Sequence, residues 1–181
     1  MEVLRLCLEQ ITCALVYFSY AQQDHKLNEN GINNGERRMI FVFLVNSLIV
    51  ALAVLVHYEF LYRLAHSIPK INVRHRFKLL IAVFGTFIAH VIEIWLFAIA
   101  YYYMHKAEGW GELSGNFTGS LLDCGYFSFT VYSTVGFGDI EPMGSIRYLT
   151  GIESLTGLML IAWSASFLYL EMQRQWAVKP S

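Results

Sequence analysis

Residues 133–140 read STVGFGDI: Ser133, Thr134, Val135, Gly136, Phe137, Gly138, Asp139, Ile140. Two glycines flank one aromatic, between hydroxyl residues and a carboxylate. Gly136 and Gly138 can take left-handed φ values that other residues resist. Alternation of right- and left-handed residues would turn successive carbonyls the same way, as a column of oxygens. At membrane depth, irregular backbone is tolerated only where it is buried in protein or lines a wet cavity. Whether this stretch lies at such a depth is decided by what surrounds it.

The surroundings are apolar. Of 181 residues, 56% are hydrophobic and only 15% are charged, against about 25% charged in soluble domains. This is a membrane composition. The formal net charge of -1 gives no sign of a nucleic-acid partner, which would call for a clearly basic chain. Cys7, Cys13 and Cys124 are odd in number and scattered, so no disulfide framework is implied. No Cys/His spacing resembles a zinc site, and no catalytic constellation stands out.

Four stretches divide the chain. Residues 1–38 comprise a hydrophobic segment and a polar, Asn/Gly-rich external loop from Gln22 to Arg38. Within it, residues 1–21 admit three readings: a spanning helix, an interfacial helix, or a signal peptide, because Arg5 and Glu9 interrupt the apolar run. Residues 39–63 read as a transmembrane helix, with no charge from Met39 to Val56. Residues 64–78 read as a basic loop. Between Arg63 and Lys78 there are five basic residues and no acid, which places this loop in the cytoplasm. Residues 79–176 follow as the last unit, with helices expected over 79–104, 120–133 and 145–176.

That orientation puts Met104 outside, so the chain between Met104 and Ser145 leaves and returns on the outer face. Ser120-Leu-Leu-Asp123 is a capping-box-like helix start. A dozen helical residues rise about 1.5 Å each, roughly 18 Å in all. That is too short to span and long enough for a re-entrant half-helix. Its C-terminal partial negative charge would point at the membrane centre.

In that context Thr134-Val135-Gly136-Phe137-Gly138-Asp139 resembles the potassium-channel signature sequence, with Phe in place of the commoner Tyr. The resemblance covers about Leu79 to Trp176. It implies an all-α membrane protein with the potassium-channel pore fold: outer helix 79–104, pore helix 120–133, filter 134–139 and inner helix 145–176, plus one or two additional N-terminal transmembrane helices. It implies K+ held by Thr134, Val135, Gly136 and Phe137, with the Gly138 carbonyl at the outer mouth. One motif per chain implies a homotetramer. Asp139, Tyr126, Thr130 and Ser133 are the expected filter supports. Phe137 lacks the hydroxyl that Tyr would supply. Thr130 stands where the family often has Glu, so Tyr126 is the expected partner of Asp139.

His90 and Glu93 lie three apart on one face of the outer helix, where ionisable groups are functional candidates. They read either as a pH-sensitive gating pair, set against Glu153 of the inner helix, or as structural hydrogen-bonding glue. Gly157 is a hinge candidate, and Met159, Ala162 and Ser166 are cavity-lining candidates. The functional expectation is passive, non-enzymatic K+ conduction, with no cofactor beyond the permeant ion. The expected partners are K+, membrane lipids and further copies of the chain. The expected location is multi-pass, in a bacterial inner membrane or plasma membrane, with the C-terminus cytoplasmic and the filter outside. Two alternatives stay open: a non-selective or Na+-permeable channel of the same fold, and a subunit of a K+ transporter.

Overall fold

The computed structural model describes residues 31–177; the three readings of residues 1–21 fall outside them. The elements in order are α1 (Gly31–Ser67), a 3-10 turn (Ile68–Lys70), α2 (His75–Lys106), β1 (Leu113–Gly115), α3 (Leu121–Tyr132), β2 (Ile140–Pro142) and α4 (Ile146–Ala177). The described residues fall into two units that divide within α1, residues 31–48 and 49–177. The described part of the first is a stretch of α1 whose Met39, Ile40, Phe43 and Leu44 are exposed. The second carries everything below.

Among the described residues, three helical segments are long and apolar enough to cross a membrane: Arg37–Lys70, Arg76–Lys106 and Ile146–Arg174. The protein is a multi-pass, helical membrane protein. In lipid a helix satisfies all its own backbone groups, which explains why the polar boundaries expected from sequence yield to longer helices. The expected loop at Gly31–Arg38 is helical, since lengthening an existing helix needs no new nucleus. The expected loop over 64–78 shrinks likewise. Helix α1 runs on to Ser67, where Pro69 ends it by disfavouring α geometry in the preceding residue. Helix α2 already starts at His75.

Each long helix of the second unit buries one stripe. On α2 the stripe comprises Ala82, Thr86, Ala89, Glu93, Phe97, Tyr101 and Met104, at the i, i+3, i+4 spacing of one helical face. Phe84, Phe87 and Ile88 point away and are exposed. On α4 the buried stripe is Ile146, Leu149, Glu153, Gly157, Leu160 and Ser164. The short helix α3 packs against both. Its Phe127 ring meets Tyr101 of α2 edge-on, with centroids 5.0 Å apart. Gly125 lies against the Trp95 indole.

Helix α3 starts as the sequence predicts. Ser120 is its N-cap, and its hydroxyl accepts from the Asp123 backbone N–H at 3.1 Å. The Asp123 carboxylate reaches back past the cap. It accepts from the Thr118 hydroxyl at 2.5 Å and the Thr118 N–H at 2.8 Å, and these bonds hold its carboxyl below the usual range.

The polar loop after α2 holds an unanticipated feature. Its strand β1 pairs antiparallel with β2, with Leu113 opposite Pro142 and Gly115 opposite Ile140. β1 follows the end of α2, and β2 follows the TVGFGD stretch. The chain between them therefore enters and leaves on one side, as a re-entrant loop must.

Gly157 marks the contact between α4 and the end of α3. A Cβ there would lie 2.3 Å from the Tyr132 carbonyl oxygen, a backbone atom, whereas a Cβ on Gly151 would meet nothing within 4 Å. Helix α4 is continuous across both. Close approach therefore supplies a reason for glycine at 157 that the hinge reading did not consider. Gly157→Ala should cost roughly 1–3 kcal/mol by overpacking, whereas Gly151→Ala should be neutral or slightly stabilising through helix propensity. Thermal unfolding of the two variants in detergent checks this; equal midpoints would contradict it.

Candidate functional site

The site begins where α3 ends. The Thr134 N–H donates to the Val131 carbonyl at 2.9 Å, and the Gly136 N–H donates to the Thr130 carbonyl at 3.0 Å. Two peptide N–H groups of the stretch are thus turned back onto the helix end. None of the described backbone hydrogen bonds terminates on a carbonyl between Thr134 and Gly138. The left-handed φ values fall on alternate residues: Thr134 at 60°, Gly136 at 50° and Gly138 at 78°, and not on Val135 or Phe137. The last turn of α3, whose carbonyls take the Thr134 and Gly136 N–H bonds, carries the partial negative charge of a helix C-terminus and leads directly into the stretch.

Thr134 is the departure from expectation. The two glycines were expected to be left-handed; a β-branched residue was not. Such a conformation costs on the order of 1–3 kcal/mol and persists only where neighbours enforce it. Here the enforcing bonds are its own N–H to Val131 and the Gly136 N–H to Thr130.

Outside this core is a ring of supports. Tyr126 stacks on Phe137, with centroids 6.3 Å apart and planes 6° from parallel. The Tyr126 hydroxyl donates to the Asp139 carboxylate at 2.9 Å. The Asp139 carbonyl accepts from the Asn116 N–H at 2.8 Å, which ties the exit of the stretch to the β1 loop. Thr130 supports through its backbone carbonyl, while its hydroxyl is taken by the Phe127 carbonyl at 2.8 Å. The Ser133 hydroxyl donates to the Phe129 carbonyl at 2.6 Å and closes the helix end.

Two buried carboxylates, one on each neighbouring long helix, hold α3. On α2, Glu93 faces His57 Nδ1 at 2.9 Å and His90 Nδ1 at 3.2 Å, and the Tyr132 hydroxyl donates to it. On α4, Glu153 meets the Ser128 hydroxyl at 2.5 Å and accepts from the Tyr101 hydroxyl at 2.5 Å. The expected pairing of His90 and Glu93 with Glu153 is therefore corrected. They belong to two separate clusters, because Glu153 sits beside Ser128 in the middle of α3 and Glu93 beside Tyr132 at its end. Gly157 joins neither. His57, Tyr132 and Ser164 are site neighbours that sequence reading missed. Of these, only His57, an ionisable group mid-span in α1, carried a signal that could have revealed it.

Taken together, these features define a membrane helix bundle that cradles a re-entrant backbone loop, the architecture of a pore. Residues 77–173 match the family model described as Ion channel. The match covers more than half of the 181 residues, and the chain belongs to that family. Comparison with curated proteins and with solved structures gave no match.

The Glu153 cluster has a checkable hydrogen count. The Ser128 hydroxyl has one proton, yet lies 2.9 Å from the Ile94 carbonyl and 2.5 Å from Glu153 Oε1. Both contacts are served when the Glu153 carboxyl itself donates to Ser128. Glu153→Gln should then keep the fold, its amide donating to Ser128 and accepting from Tyr101. Glu153→Ala should destabilise by about 1–3 kcal/mol for each buried group left unpartnered. Thermal unfolding of both variants tests the count; Gln as damaging as Ala would refute it.

Proposed function

We propose that four copies of the chain assemble around one axis into a potassium-selective channel. Each copy contributes the Thr134, Val135, Gly136 and Phe137 carbonyls, with the Thr134 hydroxyl, to a column of K+ sites, and the Gly138 carbonyl to the outer mouth. The observation that carries this reading is the arrangement of the 134–138 backbone. Its N–H groups at 134 and 136 are bonded to α3, its left-handed residues alternate, and its carbonyls have no described partner. Rings of such carbonyls can replace the hydration shell of a cation.

Exposure supports assembly. In the single chain, every residue from Ser133 to Asp139 is exposed, including Phe137 at 69%. A run of this kind in a membrane protein calls for cover, and one chain supplies one motif. On the inner helix, Met159, Ala162 and Ser166 are likewise exposed, which suits residues lining a shared cavity. Phe84, Phe87 and Ile88 are exposed on α2 and suit a lipid-facing surface. The basic stretch Arg63–Lys78 sets the orientation by the positive-inside rule, with the filter outward and the C-terminus cytoplasmic. Conduction is passive and no covalent step is involved.

Liposomes holding the purified protein test this. Under an outward K+ gradient they should take up Rb+ and exclude Na+, and native mass spectrometry should give a tetramer. Gly136→Ala should abolish uptake without unfolding the protein. Within its own chain the Cβ meets nothing within 4 Å, so the strain inside the subunit is the left-handed conformation alone, which costs a non-glycine residue roughly 1–2 kcal/mol. Na+ uptake equal to that of Rb+ would reject potassium selectivity.

A further inference from the structure

The cluster around Glu93 is unlike the rest of the bundle. The carboxylate is fully buried, and no Lys or Arg among the described residues is recorded as pairing with it. Two imidazoles face it, His57 Nδ1 on Oε1 at 2.9 Å and His90 Nδ1 on Oε2 at 3.2 Å. The potential ligand atoms of His57, His90 and Glu93 all lie within 4.8 Å of one another. The Tyr132 hydroxyl adds a fourth polar atom, 2.9 Å from His90 Nδ1. A buried negative charge in a membrane calls for a positive partner.

We propose that His57, His90 and Glu93 bind a divalent transition-metal ion of the zinc class, with Ser164 orienting both imidazoles. Two histidines and one carboxylate are a ligand set zinc accepts. Bonds of about 2.0–2.1 Å place tetrahedral ligands roughly 3.3–3.4 Å apart, close to the 2.9 and 3.2 Å separations found between each imidazole and the carboxylate. The far side of the rings fits as well. His57 Nε2 lies 3.4 Å and His90 Nε2 3.0 Å from the Ser164 hydroxyl oxygen. Metal-bound histidines donate their other N–H to a fixed acceptor. A hydroxyl oxygen has two lone pairs, one for each ring.

The competing occupant is a proton shared by the imidazoles, and cobalt separates the two. The full chain in detergent, stripped with chelator, is titrated with Co2+. The proposal expects one cobalt per chain, the visible bands of a tetrahedral ligand field, and displacement by Zn2+, the tighter binder of the two here. His57→Gln and His90→Gln should each lose the bands. Ser164→Ala should keep them with affinity loosened roughly 10–100-fold. Absence of stoichiometric cobalt binding by the wild-type chain would overturn the proposal in favour of the proton. Cobalt bound equally by wild type and His90→Gln would overturn it in favour of a different location. If a histidine variant fails to assemble, the wild-type titration and Ser164→Ala still decide the matter.

Discussion

The bond from the Gly136 N–H to the Thr130 carbonyl, with its neighbour from Thr134 to Val131, is the constraint on which the rest depends. A backbone with alternating hand has no ladder to hold it and two flexible glycines to let it go. These two bonds fasten one edge of it to a rigid helix end. The carbonyls from Thr134 to Gly138 keep no described backbone partner, which is what the proposed ion-binding role requires. Without them, Thr134 has no reason to stay left-handed.

The anchor is only as good as helix α3, and that helix is held at its start, its middle and its end. Ser120 caps its start. Ser128 ties its middle to Glu153 of α4 and to the Ile94 carbonyl of α2. Tyr132 ties its end to Glu93, and the missing side chain of Gly157 lets α4 close on that same end. Polar groups of this kind are costly in a membrane unless paired. In pairs they fix position more narrowly than apolar packing, because hydrogen bonds are directional. The outer end is held independently by Asp139, through Tyr126 and the Asn116 N–H.

What the sequence made legible follows from how local the signals are. The long helices show as predominantly apolar runs, and the glycine pair marks the loop by itself. The start of α3 can be read from Ser120 and Asp123, since capping acts over three residues. The Tyr126 to Asp139 bond is also readable, because a short helix and a tight return bring them together with little freedom. The β1–β2 pair was not, since three-residue strands carry no periodicity. Nor were the two carboxylate clusters. Which of Glu93 and Glu153 meets Ser128 depends on how three helices are rotated about their axes, and one sequence does not encode that in its spacing. Left-handed Thr134 was invisible for the opposite reason: its residue type argues against it, and only the bonds around it overrule the preference.

The proposed function requires a carbonyl column, tied at its back, to strip and select K+. The most direct measurement is the reversal potential of the purified protein in a planar bilayer, with K+ on one side and Na+ on the other. A K+-selective column gives a reversal potential displaced far from zero, in the direction that opposes K+ leaving its side, with the current carried by K+ from that side alone. A reversal potential near zero would show that the column does not discriminate, and would contradict the proposed function.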